Sequence, residues 1–343
     1  MNLVERALTE HFDTLGLETV GLGRRLQTTV LTPRFPTSRH VVALVFDDGD
    51  PRPRAVAKVP RQLFDDGGVL LEAQVLASLH GSASGTFRGA PALLGTVDVH
   101  GRTMLVESAV QGTPLEPRLV AADPGRAVRA AAAFLAELPV TRAAEDGHDW
   151  YQRTLTAPLA DLAARFPLGG ETARLCDRTH ALLEPLRGVA LPAVFEHGDL
   201  SHPNLFTSAD GGSLLAIDWE RADPAGLPGH DFVFFLQYVG RCVHGGSSRA
   251  DQFQAFDDAF AGATGWARPA LDAHLSLRGV PPELSGLLVL ASWARTAATL
   301  ASRLGADGAG TGSAAAAEQA VSADRDMDLW RHAVARAEAG ALS

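Results

Sequence analysis

Lysine is nearly missing from this sequence. Lys and Arg together number 30, yet Lys58 is the single lysine and every other basic residue is arginine. A position that keeps lysine in such a chain asks for a chemical reason, and a compact point charge is the property arginine cannot copy. Cysteine is scarce as well. Cys176 and Cys242 are too few and too isolated for a disulfide framework or a zinc site, and they read as reduced core thiols of a cytoplasmic protein. No apolar run approaches the roughly 20 residues needed to span a bilayer. The opening stretch MNLVERALTEHF sets acids among its apolar residues, where a signal peptide is uninterrupted. No membrane partner is expected. The net charge of −10 argues against a nucleic-acid-binding surface, which needs a basic patch. It suits a cationic ligand, although an acidic surface serves solubility equally well.

What is present is an ordinary globular composition, 46% hydrophobic and 20% charged, over 343 residues, enough for two lobes. Residues 2–15 carry Leu3, Ala7 and Phe12 among acids, which predicts a short amphipathic helix. Three apolar or β-branched runs follow, Leu26–Thr32, His40–Phe46 and Arg54–Val59, separated by the turn-rich segments PRFPTSR and DDGDPRP. They predict an antiparallel meander. Val69–Leu79 has helical spacing between Gly-rich ends. Ala92–Val99 and Thr103–Glu107 predict two further strands turning at His100-Gly101, so the order is β-β-β-α-β-β. Beyond SAVQGTPLEP the chain turns helical over Pro124–Leu138, Leu155–Phe166 and Ala173–Leu186. Short strands at Ala193–Glu196 and Leu214–Trp219 are expected around a turn at Asp210-Gly211. The remainder reads as mostly helix, with residues 305–317 a flexible connection before a last helix over Asp326–Ala339. The expectation is an α+β fold, a small antiparallel β lobe with one main helix over residues 1–108 and a large helical lobe over residues 109–343.

Phosphoryl transfer needs a cation on the phosphates, a metal held by oxygens and an acceptor for the hydroxyl proton. The segment His197-Gly198-Asp199-Leu200-Ser201-His202-Pro203-Asn204 resembles the kinase pattern H-x-D-x-x-x-x-N, in which Asp takes the proton and Asn binds magnesium. Ile217-Asp218-Trp219-Glu220 begins its acidic pair 19 residues beyond Asp199, where kinases carry the D-F-G segment whose Asp chelates magnesium. Singly, Asp199 could cap a helix, Asn204 turn a loop and Asp218 end a strand. Their joint occurrence in this order, after a β-β-β-α-β-β lobe, has no such explanation.

With both motifs the chain resembles the aminoglycoside phosphotransferase and choline kinase superfamily, which has the fold of protein kinases. The resemblance implies a bilobal fold and phosphotransfer dependent on ATP and Mg2+, with GTP left open as donor. Asp199 is then the catalytic base, His197 belongs to the catalytic segment as the residue that orients it, and Asn204 and Asp218 are metal ligands. Lys58, in Ala55-Val56-Ala57-Lys58, is similar to the family's third-strand lysine, which contacts the α- and β-phosphates. Glu72, 14 residues on, is similar to the helix acid that holds that lysine in place. Gly21-Leu22-Gly23 precedes the first strand, so the phosphate-covering turn matches Pro33–Arg39, with Thr37 and Ser38 in the role of the glycines. Glu107-Ser108-Ala109 matches the hinge, where the backbone of Glu107 and Ala109 meets the adenine edge and the side chains are incidental. Asp231, in Gly229-His230-Asp231-Phe232, resembles the acid that braces the catalytic loop.

Three functions are compatible with the motifs. The first is a small-molecule kinase acting on a hydroxyl of an aminoglycoside, sugar or amino alcohol. The second is a kinase of Ser or Thr in a partner peptide. The third is a non-catalytic nucleotide-binding protein, against which the presence of Lys58, Asp199, Asn204 and Asp218 together stands. Asp251, Asp257 and Asp258 form a candidate acidic cluster for a cationic acceptor.

Overall fold

The computed structural model describes residues 2–31, 40–81, 87–141, 148–208, 211–262, 265–305 and 314–342. The chain divides into two compact units: Met1–Leu115 with His197–Asp199 and Pro203–Ala222, and the remainder. Each is described in turn.

The first unit opens with helix α1 (Leu3–Glu10), started by a capping box in which Asn2 and Glu5 satisfy each other's backbone N–H groups. Val4, Ala7 and Leu8 face inward and Phe12 beyond the helix is buried with them, so of the expected apolar positions only Leu3 is exposed. Strands β1 (Leu26–Leu31), β2 (His40–Asp47) and β3 (Pro53–Pro60) form the predicted meander. Helix α2 (Gly67–Gly81) follows, and then β4 (Leu93–Asp98) and β5 (Thr103–Ser108) complete an antiparallel sheet ordered β1-β2-β3-β5-β4. Alternation along the strands separates two faces. Ala43, Val45, Ala55, Ala57, Met104 and Val106 pack with Val4, Leu8 and Phe12 around α1. The opposite face offers Leu105 to Val69 and Ala73 of α2. Lys58 lies on this second face, because it pairs with Leu105 across the β3–β5 ladder.

A second sheet joins β6 (Gly112–Pro114) to two later strands. The expected hairpin between residues 193–196 and 214–219 does not form. Ala193–Glu196 is strand β8, which pairs with β7 (Val140–Thr141) and, on its other side, with β11 (Asp223–Gly226) in the second unit. Leu205–Ser208 is strand β9, unanticipated from sequence, and β10 (Leu214–Ala216) pairs with it in the order β10-β9-β6. The strand stops at Ala216 rather than running to Trp219 because Asp218 adopts φ 69°, a left-handed conformation that cannot continue a ladder. Asp210 of the expected turn lies outside the described residues.

The second unit is helical. Its long elements include Pro124–Glu137, Glu171–Leu182, His230–His244, Arg249–Phe260, Ser285–Ala298 and Arg325–Glu338. Residues 306–313 of the expected flexible connection lie outside the described residues, and helix begins again at Ala314. Pro282–Leu304, with mean hydropathy 1.3, is long and apolar enough by length and composition to cross a bilayer. Glu283, Arg295 and Arg303 interrupt it, which is why no continuous apolar run is visible in the sequence. Of its most apolar window 78% is buried inside the protein, the setting of a core helix. Cys176 and Cys242 are buried free thiols.

Candidate active site

The first unit assembles its polar cluster on the α2 face of the sheet. Strand register accounts for the membership. Lys58 stands opposite Val42 on β2 and Leu105 on β5, and the next same-face positions are His40 and Glu107. Lys58 Nζ donates to Glu72 Oε1 at 2.6 Å and Oε2 at 2.8 Å. It also lies 3.5 Å from Asp218 Oδ1 and 3.6 Å from Glu107 Oε1. Burial works against the ammonium, but Glu107, Glu72 and Asp218 outweigh it and raise the Lys58 pKa above the lysine range. A single lysine is thus held charged among three carboxyl groups.

Glu72 does more than neutralise Lys58. Its Oε1 accepts the backbone N–H of Trp219 at 2.9 Å, so one fully buried carboxylate ties the third strand to the segment following Asp218. Asp218 keeps about a third of its side chain exposed. Burial tends to raise its pKa, whereas Lys58, His40, His197 and Arg221 together hold it below the usual aspartate value. Its left-handed backbone is the kind of strain that tight structure sustains at functional positions.

The loop 197–204 is fastened to the same segment. His197 Nε2 donates to Ile217 O at 2.9 Å, and Asp199 N–H donates to His197 Nδ1 at 3.2 Å. A carbonyl can only accept, so the ring carries its proton on Nε2 and both nitrogens hold backbone groups. His197 is therefore placed to position the loop. Asn204 Nδ2 donates to Asp199 O at 3.1 Å, and Ile217 N–H donates to Asn204 O at 2.9 Å. Asn204 Oδ1 is the oxygen this residue would offer a cation. Asp199 keeps about a third of its side chain exposed, with Arg221 Nη1 3.7 Å from Oδ2. Gly198, at φ 81°, passes so close to Arg221 that a Cβ would sit 2.5 Å from its carbonyl oxygen. Only glycine fits there.

Thr37 and Ser38 lie outside the described residues. Ala109 N–H donates to Arg54 O at 2.9 Å, next to the end of β5. The Glu107 side chain is not incidental, because its place on the Lys58 face buries it. Burial pushes its pKa up to about 8 against the pull of Lys58, and its Oε2 has no hydrogen-bond partner among the described residues. Asp231 is buried in the first turn of helix His230–His244, within the field of Glu196 and Arg295. Asp251, Asp257 and Asp258 each have partners within the second unit. Asp251 closes a capping box with Ser248, Asp257 pairs with His332 and Arg336, and Asp258 pairs with His244.

Two residues went unassigned in the sequence. His40 Nε2 meets Glu220 Oε2 at 3.0 Å, and ligand atoms of His40, Asp218 and Glu220 all lie within 4.8 Å of one another. Burial lowers the His40 pKa, but the Glu220 carboxylate outweighs it and the net shift is upward. The signal for Glu220 was its two-residue spacing from Asp218. For His40 it was strand parity with Val42, readable only once the β2–β3 register is known. The Asp218 and Glu220 carboxylates and the Asn204 amide oxygen are hard donors of the kind that fits magnesium, with the His40 nitrogen beside the two acids.

No curated protein matches the chain. Among solved structures, an aminoglycoside 2'-phosphotransferase-IIIa variant in complex with GDP is similar with a TM-score of 0.53, at 16% identity and covering 97% of this chain and 98% of that one. Aminoglycoside phosphotransferase APH(4)-Ia gives 0.54 at 15% identity, with 98% and 97% covered. Ethanolamine kinase of Plasmodium vivax gives 0.51 at 12% identity, with 90% and 84% covered. At these identities the likeness establishes the α+β fold of aminoglycoside phosphotransferases. The profile of the phosphotransferase enzyme family matches residues 38–274, a span that contains Lys58, Glu72, the 197–204 loop and Asp218. The chain therefore belongs to the phosphotransferase enzyme family.

Proposed function

We propose that this enzyme transfers the γ-phosphoryl group of ATP to a hydroxyl of a small polar molecule of the aminoglycoside, sugar or amino-alcohol type, with magnesium held by Asp218 and Asn204. The observation that carries the reading is the Lys58–Glu72–Asp218 cluster: a charged lysine 3.5 Å from the Asp218 carboxylate, locked by a buried acid. Similar folds support the nucleotide, since an APH(4)-Ia variant is a ternary complex with ADP and hygromycin B. The ethanolamine kinase supports an amino alcohol among the acceptor classes.

The residues divide the work as phosphoryl transfer requires. Lys58 neutralises phosphate oxygens, and Glu72 keeps its ammonium from collapsing onto Asp218. Asp218 and Asn204 would hold magnesium through their side-chain oxygens, and the ion would supply charge stabilisation for the transferring phosphate. Asp199 accepts the proton of the acceptor hydroxyl as that oxygen bonds to phosphorus and the bond to the departing nucleotide breaks. His197 and Asn204 hold the Asp199 backbone, so its carboxylate keeps one position through the reaction.

The test is transfer from γ-labelled ATP to a panel of aminoglycosides, sugars and amino alcohols, with Ser/Thr peptides alongside. Asp199→Asn is expected to keep nucleotide binding and lower kcat by about two to four orders of magnitude. Wild-type turnover in that variant removes Asp199 from the chemistry, and saturable transfer to a peptide alone rejects the small acceptor.

A further inference from the structure

We infer that Arg295 is a positioning residue of the phosphotransfer site, clamping the rung of sheet from which both catalytic segments emerge. The inference rests on reading 197–204 and 217–222 as those segments. The chain leaves β8 at Glu196 and passes directly into His197, and it leaves Ala222 directly into Asp223 of β11. Glu196 and Asp223 are partners across the antiparallel β8–β11 ladder. One rung therefore sets the spacing between the end of one segment and the end of the other.

That rung is chemically unfavourable by itself, since acids directly opposite each other across a ladder destabilise it. Arg295, from helix Ser285–Ala298, supplies what is missing. Its Nη2 donates to Glu196 Oε2 at 2.5 Å and to Asp223 Oδ2 at 3.1 Å. The site around it is built. Glu196 is 1% exposed, and its Oε1 accepts Leu227 N–H at 3.1 Å. A Cβ on Gly226 would fall 2.1 Å from Glu196 Oε2, so glycine is what lets the carboxyl group reach Arg295. Arg153 Nη1 reaches Asp223 Oδ2 at 2.9 Å from the exposed side. Asp231 and His230 complete the charged and titratable groups that face the rung.

Without Arg295, a buried carboxyl group and a half-buried one face each other with no shared donor. They either repel as anions or one takes up a proton. Burial already pushes Glu196 up to about 8 against the pull of Arg295. In both cases the bonds that fix the rung are lost. Buried ion clusters contribute little net stability compared with apolar replacements, so retention of this one points to geometry rather than stability.

The experiment is a double-mutant cycle in the full-length enzyme, read by kcat and by amide hydrogen exchange. Arg295→Met keeps the volume and removes the donors. It is expected to lower kcat by about 10- to 100-fold, as ångström-scale misplacement does, and to speed exchange in peptides covering 197–204 and 217–222. Arg295→Lys is expected to recover most of the rate. In a Glu196→Gln, Asp223→Asn background the facing amides satisfy each other, so adding Arg295→Met is expected to change kcat by less than about three-fold. An equal loss in both backgrounds overturns the proposal, as does wild-type kcat and exchange in Arg295→Met. If Arg295→Met alone does not fold, the comparison between the double and triple variants decides. Asp199→Asn run in parallel separates the two readings: full activity there removes the catalytic assignment, while exchange still reports on the rung.

Discussion

Replacing Glu72 by Gln tests the centre of the site. The carboxylate accepts three hydrogen bonds, two from Lys58 Nζ at 2.6 and 2.8 Å and one from Trp219 N–H at 2.9 Å, and it is fully buried. An amide offers one acceptor oxygen and turns an NH2 toward a donor, so at least one of these bonds becomes a donor–donor contact. Breaking a buried ion pair by removing one partner costs about 3–5 kcal/mol. Lys58 retains Asp218 at 3.5 Å and Glu107 at 3.6 Å as compensation, which reduces the expected loss to about 2 kcal/mol. For a protein of this size that lowers Tm by about 3 °C. The catalytic consequence is larger. Released from Glu72, the ammonium moves toward Asp218 and competes with the metal, so kcat/KM for nucleotide is expected to fall about 10- to 100-fold. Scanning calorimetry and steady-state kinetics on the same preparation measure both. An unchanged kcat/KM with the predicted Tm loss would show that Glu72 is only structural, and no change in either would refute the reasoning.

Asp218→Asn tolerates the left-handed backbone and removes the charge, so magnesium-dependent nucleotide binding should weaken by calorimetry while Tm stays within about 3 °C. Gly198→Ala places a methyl group 2.5 Å from Arg221 O at φ 81°. It should cost about 1–3 kcal/mol in denaturant unfolding and reduce turnover, whereas wild-type stability would mean the loop relaxes freely. The pH dependence follows from two buried imidazoles. Burial, reinforced by Arg295, lowers His230 to about 3, and burial, reinforced by Arg278, lowers His274 to about 4, against 6.5 in the unfolded chain. The unfolded state then binds more protons across the window below 6.5, so stability is complete above that pH and is lost as pH falls toward 4. Unfolding at pH 5, 6 and 7 should show this slope, and His274→Gln should reduce it.

Much of the first unit was legible in the sequence. Periodicity and turn composition are local, and they located β1 to β5, α1 and α2 within a few residues. The spacing within His197–Asn204 is also local, because a single short loop carries Asp199 and Asn204 together. Lys58 stood out through composition alone. The tertiary structure decided what depends on register and on distant segments. The Glu107 carboxyl joins Lys58 because β3 and β5 pair Val56 with Glu107, and a shift of one residue would have turned it to the other face. Strand β10 pairs with β9 instead of β8, and it ends before Asp218, whose left-handed backbone no run of side chains announces. Arg295 lies 99 residues from Glu196 and 72 from Asp223, so only the folded chain brings these charges together. The sequence by itself determined the chemistry available, in residue types at short spacings. The tertiary structure determined which of those groups share a buried face, where the low dielectric makes their charges strong enough to act on one another.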